Sequence, residues 1–171
     1  MFKMLGRLAV SVGVTIGISC PALALADDLV NVKQMSVDLA EELVRAAVTA
    51  CRAQGWQVTA VAVDRTAVPQ AMLRDTLASR FTIQIAVEKA NAVVLSGVAS
   101  SEFRHNRGDI RPEMDQVDGI LVLDGAVPVR AAGSLVGAIG VSGAPGGDKD
   151  EMCALAAIKS VQDRLDFEEG D

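Results

Sequence analysis

Few residues in this chain could do chemistry, and the scarcest of them is imidazole. His105 is the one histidine, tyrosine is absent, and the surrounding stretch from Ala99 to Val117 carries Arg104, Arg107, Asp109, Arg111, Glu113 and Asp115. A lone imidazole can serve as an axial haem ligand, alone or across an oligomer interface, with Arg104 and Arg107 placed to pair with propionates. The competing reading is a solvated histidine in a charged loop. Met72, Met114 and Met152 are further axial candidates, although methionine in strands and helices commonly fills a core. With a single histidine there is no Cys/His cluster to hold zinc. Ser142 lies in Val141-Ser142-Gly143, which is not the G-x-S-x-G elbow of a nucleophilic serine.

Two charged pairs flank apolar segments: Arg74-Asp75 and Glu88-Lys89. They read either as exposed ion pairs worth under about 1 kcal/mol or as Arg74 and Lys89 sharing a pocket that fixes a carboxylate-bearing ligand. The run from Val136 to Glu151, VGAIGVSGAPGGDKDE, supplies five glycines. Neither the dinucleotide spacing G-x-G-x-x-G nor the phosphate-loop pattern occurs within it. Asp148, Asp150 and Glu151 at the following helix start would repel phosphate. Gly137 and Gly140 therefore read as a thin strand, crowded by backbone or open to a ligand, and Gly143, Gly146 and Gly147 as a tight turn.

The elements that must position these groups follow from periodicity. Residues 1–26 have the form of a secretory signal: Lys3 and Arg7, an apolar run from Leu8 to Ser19, and Ala24-Leu25-Ala26 before Asp27. The 12-residue run is too short to span a bilayer, which takes about 20 residues. A retained anchor and a lipoprotein through Cys20 are the alternatives. The expected mature chain, residues 27–171, is one domain in the periplasm or exterior. Without Lys3 and Arg7 it has 14 basic against 22 acidic residues, a net charge of −8. That balance disfavours nucleic acid and anionic membranes as partners.

Ser36 caps a helix running to Gln54, with Ala40, Leu43, Val44, Ala47 and Cys51 on one face. Val58–Asp64 and Val68–Arg74 read as paired strands, the second near an edge because of Pro69. Thr82–Leu95 returns to helical period, and Ala99–Val117 reads as a long surface loop with at most a short helical turn. Ile120–Leu123, Val127–Ala131 and Leu135–Ser142 read as three more strands. Asp148 then caps a last helix with Glu151 in a capping box, and Met152, Leu155, Ala156, Ile158 and Leu165 face inward. The expectation is an α+β domain: one five-stranded antiparallel sheet with the N- and C-terminal helices on one face. Cys51 and Cys153 fall in those two helices, so a bridge is geometrically possible; two buried thiols that never meet is the alternative.

VGAIGVSGAPGGDKDE, followed by Cys153-Ala154-Leu155-Ala156-Ala157, resembles the C-terminal signature of the GlcG/HbpS-like haem-binding, or haem-degrading-domain, family. AVAVDRTAVPQAMLRDTLA (Ala60–Ala78) and IAVEKANAV (Ile85–Val93) are similar to that family's hairpin and Glu-Lys-Ala helix. The resemblance implies a profilin-like or roadblock-like domain that assembles as a dimer, tetramer or octamer and, in exported members, binds or senses haem. It directs ligand contacts to Arg74, Lys89, Asn91, Gly137, Gly140 and Gly143. This chain departs from the pattern in three places: no glycine follows Asp64-Arg65-Thr66, Lys89-Ala90-Asn91-Ala92-Val93 lacks the threonine of the Lys-Ala-x-Thr-Ala run and the aromatic that often follows it, and the loop after Gly97 does not match the Pro-Gly-rich segment of the family.

Together these readings describe an exported, oligomeric binding protein for haem or another small carboxylated ligand, without a catalytic constellation. The alternatives are an enzyme degrading haem or acting on a small hydroxy acid, and a protein-interaction module without ligand.

Overall fold

The computed structural model describes residues 30–167, so the expected signal segment lies outside the described residues. The compact unit begins at Val32. Its elements are α1 (Val37–Arg52), β1 (Thr59–Asp64), β2 (Pro69–Arg74), α2 (Phe81–Ser96), α3 (Ser100–Asn106), α4 (Arg111–Met114), β3 (Ala126–Ala131), β4 (Ser134–Ser142) and α5 (Gly147–Asp166). The four strands form one antiparallel sheet in the order β2-β1-β4-β3.

Strand alternation splits the core in two. Ala60, Ala62, Ile139 and Val141 face one side, where α1 and α5 bring Leu43, Ala47, Val48, Ala154, Ala157 and Val161. Val61, Val63 and Ala138 face the other, against Ala86, Ala90 and Val93 of α2. The terminal helices thus share a face as expected, and α2 covers the opposite one. The Cys51–Cys153 disulfide joins α1 to α5 with Cα atoms 5.5 Å apart. Closing a loop across 102 residues removes chain entropy worth about 4–5 kcal/mol in the unfolded state.

Three expectations are corrected. The sheet has four strands, not five, because Ile120–Leu123 joins no ladder. Its amides go elsewhere: Leu121 N donates to the Glu88 carbonyl (3.3 Å), Val122 N to Asp115 Oδ1 (3.4 Å) and Leu123 N to the Leu121 carbonyl (3.0 Å). A short apolar run with turn residues after it has no periodicity that separates a strand from buried coil. Second, the charged stretch after Gly97 contains α3, anchored by the buried Phe103. Third, α5 starts at Gly147 with no side-chain cap, so Asp148 and Glu151 form no capping box. Its buried face is Asp150, Cys153, Ala154, Ala157, Val161 and Leu165, whereas Met152 and Leu155 are exposed.

The β1–β2 hairpin explains the missing glycine. Asp64 Oδ1 accepts from Thr66 N (2.7 Å), Thr66 Oγ1 (2.6 Å) and Val68 N (3.0 Å), closing a turn that puts Ala67 at φ +66. Burial pushes the Asp64 carboxyl up, but the hydrogen bonds from Thr66, Val68 and Gln34 together hold it below its ordinary value. An L-residue in the left-handed region costs about 1–2 kcal/mol, part of which glycine's unfolded-state entropy offsets. Ala67→Gly should therefore stabilise the protein by about 0.5–1 kcal/mol, read as a higher denaturant midpoint at unchanged m-value. A lower midpoint would contradict the strain.

Candidate functional site

The glycine-rich segment and the Glu-Lys-Ala helix meet at a buried ion pair. Lys89, 1 % exposed, reaches from α2 across the end of β4. Its Nζ donates to Asp150 Oδ2 (2.9 Å) and to the Val141 carbonyl (3.1 Å). Asp150 Oδ1 in turn accepts from Ala144 N (2.9 Å), so the carboxylate also orders the β4–α5 turn. Gly125 lies over the pair: a Cβ there would stand 2.6 Å from Lys89 Nζ and 2.8 Å from Asp150 Cβ. Burial pushes the Asp150 carboxyl above its ordinary range, with the Lys89 ammonium pulling the other way. A raised value means the folded state binds that proton more tightly. Its contribution favours folding at low pH and is lost as pH rises through the folded value.

Lys89 and Arg74, expected to share a ligand pocket, are each engaged on a different element. Arg74 Nη1 donates to the carbonyls of Asp75 (3.1 Å) and Ala78 (2.5 Å), stapling the turn between β2 and α2. Its neighbour Asp75, which a sequence-level reading pairs with it, instead accepts from Arg52 Nε (2.7 Å) of α1 and from Val58 N (3.2 Å). Asn91 donates to the Gly119 carbonyl (3.0 Å) while its buried Oδ1 has no partner among the described residues.

The glycines answer to backbone. A Cβ on Gly140 would collide with the Ala86 carbonyl of α2, and one on Gly137 with the Val63 carbonyl of β1. What lies against this thin strand is thus the protein's own helix and neighbouring strand. Gly143 adopts φ +131 and passes 2.6 Å, at Cβ, from the Gln57 carbonyl. Gly146, at φ 178, is extended, and Gly147 already belongs to α5. Ser142 is buried at the end of β4.

His105 stands apart from all of these, exposed on α3. With Ser101, Arg104 and Asp124 it lines an open depression of about 450 Å³. Arg104 Nη1 pairs with Asp124 Oδ2 at 2.9 Å, while Asp124 Oδ1 is buried with no partner among the described residues. The depression is fixed from behind by Glu151, which sequence reasoning assigned to a cap. Its carboxylate accepts from Ser100 Oγ (3.2 Å), Ser101 N (3.2 Å), Ser101 Oγ (2.5 Å) and Gly125 N (3.3 Å). The buried Ser100 Oγ also accepts from Ala126 N (2.9 Å), tying α3 to β3. Nothing in residue spacing links Ser100 to Glu151, 51 positions away.

Of the expected site residues, Lys89 and the glycines 137, 140 and 143 come together as scaffold. Arg74, Asn91 and His105 do not join them. The fit to haem is specific and incomplete. His105 offers one axial nitrogen and Arg104 a cation for a propionate, but the lining is polar and lacks the apolar wall a porphyrin buries against. Among the described residues no group of three or more His, Cys, Asp or Glu could hold a bare metal ion. No helix among them is long and apolar enough to cross a membrane.

Glu151→Gln tests the support behind the depression, since it keeps the size of the side chain and removes the charge that four hydrogen bonds address. Hydrogen bonds to a charged group contribute about 1.5–3 kcal/mol, so exchange protection of the Ser101 and Gly125 amides should fall at least about tenfold. Unchanged protection would mean that α3 is held without Glu151, by Phe103 and by the Ser100–Ala126 hydrogen bond.

The comparisons agree with this scaffold. Residues 35–159 match the family described as haem degrading protein, HbpS-like. The crystal structure of HbpS is similar at 32% identity and TM-score 0.74, covering 81% of this chain and 97% of that one. A double mutant of the Streptomyces reticuli HbpS is similar at 31% identity and TM-score 0.74, covering 84% and 97%. A haem complex of PduOC shares the fold at 23% identity and TM-score 0.65, covering 75% and 95%. Among curated proteins no relative matches. By residues 35–159, and by its likeness to HbpS across most of its length, this chain belongs to the HbpS-like family of haem degrading proteins.

Proposed function

We propose that the protein is an exported, non-catalytic, oligomeric binding protein that holds haem, or another small carboxylated ligand, at the α3 depression. The observation that carries this reading is the position of His105. The only imidazole of the chain is exposed beside Arg104, on a helix braced by Glu151, in an HbpS-like domain. His105 would ligate the iron, and Arg104 would exchange Asp124 for a propionate. Haem bound there would supply an iron centre able to change oxidation state. The missing apolar wall would come from a second copy of the chain, which is why the reading includes a homo-oligomer of two, four or eight copies. Support for export comes from the signal-like residues 1–26 and from the Cys51–Cys153 disulfide, which persists in oxidising compartments.

Titration with hemin tests the proposal. The expected result is a Soret shift that saturates at a simple ratio, with affinity at least about tenfold weaker in His105→Ala, or roughly 1.4 kcal/mol. No saturable change would contradict haem binding, and undiminished affinity in His105→Ala would place it elsewhere.

The family's description favours a second reading, turnover of the bound haem. Under it, adding a reductant and oxygen to the complex should consume the Soret band over many minutes with release of iron. A stable spectrum would leave the binding protein as the account.

A further inference from the structure

A second depression, of about 330 Å³, lies between α1 and the edge strand β2, and none of the readings above uses it. Its floor is apolar, from Val44, Ala71 and Leu73, and its polar groups are Glu41, Arg45 and Gln70. Glu41 and Arg45 are four residues apart on α1, about 6 Å of helix rise, a spacing at which a Glu-Arg pair ordinarily closes on itself. Here the two stay apart: neither forms an ion pair or hydrogen bond among the described residues. Gln70 is brought in by a bulge. Ala62 faces Ala71 and Val63 faces Pro69, so Gln70 has no partner on β1. Bulges commonly re-aim a side chain beside a binding site. The Gln70 Oε1 is buried and accepts no hydrogen bond among the described residues. A buried acceptor without a donor costs free energy that a ligand N–H would recover.

We infer that this α1–β2 depression binds a free α-amino acid with a medium-sized apolar side chain. Glu41 takes the ammonium, Arg45 takes the carboxylate in a forked pair, Gln70 Oε1 accepts a second ammonium hydrogen, and the side chain rests on Val44 and Leu73. One carboxylate, one guanidinium and one unpartnered acceptor around an apolar floor are complementary to a zwitterion. A dicarboxylate would meet Glu41, and a polyamine would meet Arg45. The volume lies at the lower end of the range for small-molecule sites, which suits an amino acid.

Calorimetry with L-leucine, N-acetyl-L-leucine and L-leucinamide tests the assignment. L-leucine should bind saturably at one per chain, and blocking either its amine or its carboxylate should weaken binding at least about tenfold. Glu41→Gln and Arg45→Gln should each produce a similar loss. Both positions are exposed, so wild-type melting temperatures for the ligand-free variants will show that the fold is intact. His105→Ala should bind L-leucine as the wild type does, which separates this site from the α3 depression. Absence of saturable L-leucine binding, indifference to N-acetylation, or full affinity in Arg45→Gln would each overturn it.

Discussion

The architecture depends on one buried ion pair. Lys89 and Asp150 are 61 residues apart, nearly inaccessible, and joined at 2.9 Å. Taking both charges out of water is expensive, and a hydrophobic pair of similar volume would stabilise the domain as well or better. What the pair provides is register. Lys89 fixes the α2 face against the end of β4 through the Val141 carbonyl, and Asp150 fixes the β4–α5 turn through Ala144 N. The same carboxylate requires Gly125 to pass overhead without a side chain. The next residue, Glu151, leaves the helix in another direction and gathers Ser100, Ser101 and Gly125. Two adjacent carboxylates at one helix start thus order both the core and the surface helix that carries His105.

This division explains why the most distinctive part of the sequence is taken up by the scaffold. The glycines of VGAIGVSGAPGGDKDE admit the Ala86 carbonyl over Gly140 and a positive φ at Gly143; two of its three acids, Asp150 and Glu151, serve the scaffold. Exposed polar groups lie elsewhere, His105 and Arg104 on α3 and Glu41 and Arg45 on α1. Arg104 already has a partner it could release, Asp124, in a pair whose cation is 43% exposed. The Lys89–Asp150 charges are buried, and the Arg104–Asp124 pair is wet.

Sequence periodicity was enough for α1, whose cap Ser36 accepts from Leu39 N as its position suggests, and for β1, β2, β3 and β4. Those elements bury one stripe or one face, so their apolar pattern reports their packing. It failed where a polar group is buried or an apolar one is not. Lys89 sits on the inward face of α2 and Asp150 on that of α5, and the buried acid shifts the apparent phase of α5 so that Met152 and Leu155 look buried. Ile120–Leu123 is apolar enough for a strand, but its amides are taken by Glu88 and Asp115. Cys51 and Cys153 were legible as candidates, and only the packing of α1 on α5 brings them to 5.5 Å. His105 was legible because it is unique; the support of α3 by Glu151 was not, since no spacing rule connects them.

A double-mutant cycle on Lys89→Met and Asp150→Asn, measured by chemical denaturation, tests the role assigned to the buried pair most directly. Each single change should cost about 3–5 kcal/mol, because each leaves a buried group without its partner. The double mutant should lose less than their sum by more than about 1 kcal/mol, the mark of residues acting as one unit. Additivity within about 0.5 kcal/mol would contradict the account, and would mean that α2, β4 and α5 are aligned by apolar packing alone.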